Sequence, residues 1–200
     1  RSTGTIIKYT RQDERFLLSQ DVKLIVAACG TVSSVAADTA KELPVPFIEV
    51  VSHSVNAALK ATKNKKIGIL ATAATINSGS HKKRILEKMP DAFVVENSGT
   101  LLVPLVEEGW YSEDDPVVRE TVRRYVEPMM DAGVDTLILG CTHFPVLSRT
   151  VSAVMGDAVT LINMGTAAAE AVVSCLEKSG GFAERETSTN RFFVSDKTAS

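Results

Sequence analysis

The apolar positions of this chain fall into short runs set between segments of helical periodicity. Runs at Leu24–Ala28, Ile67–Leu70, Ala92–Val95, Thr136–Leu139 and Val159–Ile162, each bounded by polar or small residues, predict buried strands. Phe47–Val51, after Pro44 and Pro46, predicts a short extended piece. Helical spacing predicts helices near Gln12–Gln20, from cap residues Ser33 and Ser34 to about Leu43, over His53–Ala61 and over His81–Lys88. Another should start at Asp115-Pro116, run to about Asp131 and leave through Gly133. Ser148–Met155 and Thr166–Lys178 complete the set, followed by a polar loop over Ser179–Asn190 and a last strand at Phe192–Val194. Strand and helix alternate throughout, which predicts an α/β fold with largely parallel sheets. Lys63-Asn64-Lys65-Lys66 is polar punctuation, and we place a domain boundary there.

Composition narrows the function classes. Two hundred residues, 44% hydrophobic and 23% charged, suit an ordinary globular chain of one large or two small domains. A net charge of -2 gives no electrostatic footprint for nucleic acid. No apolar run approaches the roughly 20 residues of a membrane span, and no signal-peptide pattern opens the chain. Three cysteines are an odd number, so free thiols in a reducing cytoplasm are expected rather than a disulfide framework.

Two of those cysteines carry the candidate chemistry. Leu137-Ile138-Leu139-Gly140-Cys141-Thr142-His143 is an apolar strand that ends at a glycine and hands a cysteine to the following loop. In an open α/β sheet, that carboxyl end is where ligands bind. A similar frame ends at Cys29: Val22 matches Val134, Ile25 matches Leu137, Val26 matches Ile138 and Ala28 matches Gly140. Two strand-ending cysteines suggest two half-sites facing one substrate. A helix N-terminus directly after a cysteine lowers its pKa, which can poise one thiol as a base. One thiol could then remove a proton from a carbon while the other returns it from the opposite face, which inverts a stereocentre with neither metal nor cofactor. Such a pair must be held in opposite protonation states. His143 and an acid from Glu107-Glu108 suit proton partners for the thiols. The loop Ala71–Gly79, dense in hydroxyls and small residues, can approach a carboxylate through Thr72 and Thr75.

Plainer readings stand beside these. A strand-end cysteine is often only a small core residue. Cys175 fits helix packing, His53 and His81 fit helix faces where they are solvated or satisfied locally, and Glu108 fits a solvated loop charge. Thr72 and Thr75 could simply cap a helix. A zinc site from Cys29, Cys141 and His143 has no CxxC or HxxxH spacing behind it.

Cys141-Thr142-His143-Phe144-Pro145, Val26-Ala27-Ala28-Cys29, the Ile67–Gly79 segment and Pro104-Leu105-Val106-Glu107 together resemble the glutamate racemases of the Asp/Glu racemase family, over essentially the whole chain. The resemblance implies cofactor-independent interconversion of L- and D-glutamate, supplying D-glutamate for peptidoglycan. It implies two similar, pseudo-symmetric three-layer α/β domains with the active site in the cleft between them, in a cytoplasmic homodimer. We expect residues 1–62 with 161–200 to form the first domain and 63–160 the second. By resemblance, Cys29 and Cys141 are acid and base, His143 and Glu107 assist proton transfer, and Thr31, Thr72, Thr75 and Thr142 hold the substrate. Gly30 stands where the family usually has a substrate-contacting Asn, and supplies backbone only. The family's Asp-Ser-Gly motif and Pro-Tyr-Gly loop do not occur here, and Arg1-Ser2 is similar to the family's residues just beyond that loop. We therefore expect a fragment with little racemase activity of its own.

Other readings remain open on sequence. The substrate could be aspartate or a hydantoin. The chain could be a non-catalytic binding or regulatory protein that keeps the fold. A thiol redox protein would instead join Cys29 to Cys141 under mild oxidation.

Overall fold

A computed structural model of the chain describes residues 2–184 and 188–195. Among them, every strand pairing is parallel, in a two-stranded sheet β1-β2 and a four-stranded sheet of order β4-β3-β5-β6. The small sheet joins β1 (Ile25–Ala27) to β2 (Phe47–Glu49). The larger contains β3 (Lys66–Ala71), β4 (Phe93–Ser98), β5 (Thr136–Gly140) and β6 (Thr160–Asn163). The first strand of the larger sheet thus opens at the last residue of the polar run expected to divide the chain.

Alternation along the inner strands builds the larger unit. Ile67, Ile69, Ala71 and Ile138 point to one face, where α3 (Val50–Ala61), α5 (Ser80–Lys88) and α9 (Met164–Ser179) cover them. Leu70, Leu137 and Leu139 point to the other, under α6 (Leu102–Glu107), α7 (Pro116–Ala132) and α8 (Ser148–Met155). A period of two sends successive side chains to opposite faces, and helices on both faces make the three-layer sandwich that parallel sheets require. Asp135 ties the loops at the amino-terminal end of β5. Its carboxylate accepts from the Thr62 hydroxyl and from the N–H groups of Lys63 and Asn64. Burial raises its pKa, but these bonds outweigh that and hold it below the usual carboxylate value.

Around the small sheet, α1 (Thr3–Leu18) begins well before the expected start, capped by Ser2. α2 (Gly30–Val35) begins immediately after Cys29, not at Ser33 or Ser34. Ser33 is used elsewhere: its hydroxyl donates to the Ala27 carbonyl and accepts from the Val50 N–H, tying β1 to the start of α3. The remainder of that expected helix is a 3-10 segment, Ala37–Glu42. The expected loop after β3 also contains a helix, α4 (Ala73–Ser78), capped by Thr72 and ended by Gly79 at φ +62°. Phe192–Val194 is not a strand. Phe193 instead sets its ring against Phe16 of α1, with centroids 4.9 Å apart. Part of the expected polar loop, residues 185–187, and the last five residues lie outside the described residues.

Candidate active site

Both cysteines stand where their strands end. Cys141 follows β5, an inner strand buried along its whole length, and is itself 7% exposed. Cys29 follows β1, is exposed, and occupies the N-cap position of α2 in extended backbone geometry. The strand ends meet through their glycines, since Gly30 lies against the backbone carbonyl of Gly140. The thiols are close enough that charge on Cys29 raises the pKa of Cys141.

Cys141 is braced. Its Sγ lies 3.7 Å from Nδ1 of His143, and Nε2 of His143 lies 3.1 Å from a carboxylate oxygen of Glu107. Three residues singled out in the sequence therefore form one chain of contacts, with Glu107 brought in by α6 and His143 by the turn before the 3-10 segment Phe144–Leu147. Burial is the largest influence on the thiol and pushes its pKa up. The backbone N–H of His143, and the hydroxyl and N–H of Thr142, partly offset that by favouring the thiolate. Thr142, expected to touch substrate, is thus an exposed residue turned toward the sulfur.

Three further expected residues converge. The hydroxyl of Thr31, in α2, lies 3.1 Å from that of Thr72 and 3.3 Å from that of Thr75, which are 3.0 Å from each other. Thr72 also caps α4 by accepting the Thr75 N–H, so the capping and site readings of this residue hold together. Hydroxyls that bond one another can rotate their protons to a carboxylate without breaking the backbone around them. A cleft of about 760 Å³ opens beside them, lined by Tyr9, Thr10, Asp13, Cys29 and Thr31 among others. Cys141 does not line this cleft.

Other candidates go elsewhere. His53 lies along a groove between α3 and α9, and Cys175 packs against the core beneath α9. His81 corrects the expectation of a solvated or locally satisfied helix face: it is 2% exposed, and neither ring nitrogen has a hydrogen-bond partner among the described residues. Its i+4 neighbour Ile85 is buried too, so the inner face of α5 is set by packing. Among the described residues no three His, Cys, Asp or Glu side chains gather into a metal-sized group, and no helix is long and apolar enough to cross a membrane. The contact of Gly30 with Gly140 was missed from sequence, although both glycines adjoin the matched cysteines.

A family model described as Asp/Glu/hydantoin racemase matches residues 7–172. The chain belongs to that family. It is 39% identical to a glutamate racemase of Neisseria meningitidis over 199 residues, which is 98% of this chain and 73% of that protein. The crystal structure of a Bacillus anthracis glutamate racemase superposes with a TM-score of 0.86 at 30% identity, covering 92% of this chain and 69% of that one. A Francisella tularensis glutamate racemase in complex with D-glutamate superposes with a TM-score of 0.84 at 32% identity, covering 93% and 69%. The α/β architecture with parallel sheets is theirs as well.

Proposed function

We propose that this protein racemises glutamate, with Cys29 and Cys141 as the two proton-transfer groups and Glu107 and His143 behind the second. Kinship with glutamate racemases supports the reaction and the substrate. The observation that carries the mechanism is the meeting of two strand-end cysteines through Gly30 and Gly140, with a proton relay behind one of them.

Burial favours the thiol form of Cys141, which suits it to serve as the acid, with Cys29 as the base. Cys29 takes the α-proton of one enantiomer. The electron pair left on the carbon delocalises into the adjoining carboxyl group. Cys141 then delivers its proton to the opposite face, which leaves Cys29 as thiol and Cys141 as thiolate. The reverse reaction runs from that second state. His143 can return a proton to Cys141 through Nδ1, with Glu107 fixing the ring through Nε2. The hydroxyls of Thr31, Thr72 and Thr75 receive a substrate carboxylate, Thr142 adds a contact beside Cys141, and Gly30 offers backbone. No step in this scheme calls for a cofactor or a metal. We place the two sheets in two lobes, the two-stranded sheet in one and the four-stranded sheet, which includes β6, in the other. We assign the protein to the bacterial cytoplasm as a homodimer that supplies D-glutamate for peptidoglycan.

Isotope exchange tests the mechanism in the full-length protein. In D2O, Cys29→Ser and Cys141→Ser should each place deuterium on the α-carbon of one enantiomer only, opposite enantiomers for the two variants, with neither inverting it. Exchange of both enantiomers by either variant would overturn the two-thiol assignment. Formation of D-aspartate in preference to D-glutamate by the unsubstituted protein would overturn the substrate.

A further inference from the structure

Resting on the relay reading above, we propose that Tyr125 is a positioning residue for the Cys141 side of the site: its hydroxyl fixes the start of α6, and with it the carboxylate that α6 carries at its other end. α6 has six residues, too few for a helix that stands on its own. Its sequence adds little support. Pro104, in its first turn, has no N–H to give, and Leu101 at the N-cap position has no side-chain oxygen to receive one. Where this helix lies therefore depends on what it touches. Leu102 anchors it in the core, and Glu107, its last residue, meets Nε2 of His143. The remaining hold is on its first turn. The hydroxyl oxygen of Tyr125 accepts from the Leu101 N–H at 3.1 Å and lies 3.0 Å from the Thr100 hydroxyl.

That phenol stands on a firm base. α7 is capped by Asp115, ends at Gly133 and buries Val118, Val122, Val126 and Met129. The Tyr125 ring packs against the same core, and its backbone carbonyl accepts from the side-chain amide of Asn97, near the end of β4, at 2.8 Å. One residue thus grips both sides of the turn that leads from β4 into α6. A phenol oxygen that accepts the Leu101 N–H is free to give its own proton to Thr100. Water can satisfy the Leu101 N–H when the hydroxyl is removed, but it does not hold the helix in place. Six residues at about 1.5 Å each put Glu107 roughly 9 Å from this bond, so a tilt of about 6° at the start moves the carboxylate by about 1 Å. A misplacement of that size at a reacting group can cost on the order of 100-fold in rate. Glu107 acts through His143, so its displacement costs less.

In the full-length protein, Tyr125→Phe keeps the ring in the core and removes only the hydroxyl. Inversion of glutamate should slow about three- to tenfold, with KM within about twofold. The loss should also be one-sided. In a Cys29→Ser background, where α-deuterium exchange runs through Cys141 alone, Tyr125→Phe should slow exchange by a similar factor. In a Cys141→Ser background, which leaves Cys29, the rate should change by less than about 1.5-fold, whereas a general loosening of the fold would slow both. Added to Glu107→Gln, Tyr125→Phe should slow inversion by less than about 1.5-fold more, because the carboxylate it places is already gone. Thr100→Val keeps the bond to the Leu101 N–H and should leave inversion within about twofold. Full inversion in Tyr125→Phe, equal losses through the two cysteines, an undiminished loss in the Glu107→Gln background, or a matching loss in Thr100→Val would each overturn the proposal. Glu107→Gln with an undiminished rate would instead remove the relay reading, and the proposal with it. A parent protein that neither exchanges nor inverts glutamate would remove the functional reading itself.

Discussion

Two cysteines end two strands of similar pattern, yet the molecule treats them differently. β5 lies between β3 and β6, every residue of Thr136–Gly140 is buried, and Cys141 emerges from it desolvated and backed by His143 and Glu107. β1 is a short strand in a two-stranded sheet, its middle residue Val26 is 40% exposed, and Cys29 opens on a cleft. A shared strand pattern fixes where a side chain is delivered, at the carboxyl end of a parallel strand. The layers packed around that strand decide how far it is desolvated when it arrives. Burial pushes the Cys141 thiol up, so packing favours the protonated form of this cysteine, the form the proposed two-thiol inversion assigns to the acid.

The sharpest way to break this comparison is to loosen one strand and then the other. Ile138→Ala, in the fully buried β5, should destabilise the protein by about 2–5 kcal/mol, the range for removing a large aliphatic side chain from a packed core. Val26→Ala, at the matching position of β1, should cost under about 1 kcal/mol, because its side chain already meets solvent. Chemical denaturation with a common m-value measures both. Equal losses would show that the two strands are equivalent after all, and the argument from packing would fall.

A second contrast lies in acid sensitivity. His81 sits on α5, over the four-stranded sheet, with no partner for either nitrogen among the described residues, and burial followed by the charge of Arg84 lowers its pKa from 6.5 to about 4. The unfolded chain therefore binds a proton in a range where the folded one does not. Stability from this residue is complete above about pH 6.5 and is lost as the pH falls toward 4, by up to about 3 kcal/mol. His81→Leu should flatten the stability profile over that window while leaving it unchanged at neutral pH to within packing differences. Denaturation curves from pH 7 to 4 check this, and an equally steep fall in the variant would remove His81 as its source.

Much of this was legible in the chain. The strand runs, the parallel α/β class and the strand-end placement of both cysteines come from periodicity and from the glycine and small residues that stop each run. Asp115-Pro116 and Gly133 marked the ends of α7 because capping and left-handed backbone have distinct residue preferences, and Gly133 does adopt φ +67°. The chemistry around Cys141 was legible as residue types, and space then joined Glu107 to His143 across 36 positions of sequence. Errors arose where one residue type serves two purposes. Ser33 and Ser34 were expected as caps, but Ser33 is drawn into a tertiary bond between β1 and α3 that local sequence does not encode. Thr72 and Gly79 could have revealed α4, since they are its cap and its stop, but the density of hydroxyls between them fits a loop equally well. Phe192–Val194 has strand composition without a strand to pair with, and ring packing on Phe16 uses the same apolar surface. The contact of Gly30 with Gly140 lay beyond sequence altogether, because it depends on how two sheets meet.

The smallest effect isolates the brace itself. Among the described residues, only the Cys141 side has a histidine held by a carboxylate, and that pair is open to water: the side chains of His143 and Glu107 are 33% and 62% exposed. Exposed ion pairs are screened and contribute little, so Glu107→Gln should leave stability within about 0.5 kcal/mol of the parent. Its catalytic effect comes from ring orientation. A glutamine at 107 can still accept a bond from Nε2–H, though it carries no charge. Inversion should slow by about tenfold, with KM little changed, because the relay acts on proton return and not on substrate binding. Salt separates this from a through-space charge effect. Raising ionic strength should slow the parent toward the variant if Glu107 works by its charge on His143, and should leave the variant nearly flat. Loss of KM in place of kcat would move Glu107 out of the proton path and into substrate binding, and the two cysteines would then differ by burial alone.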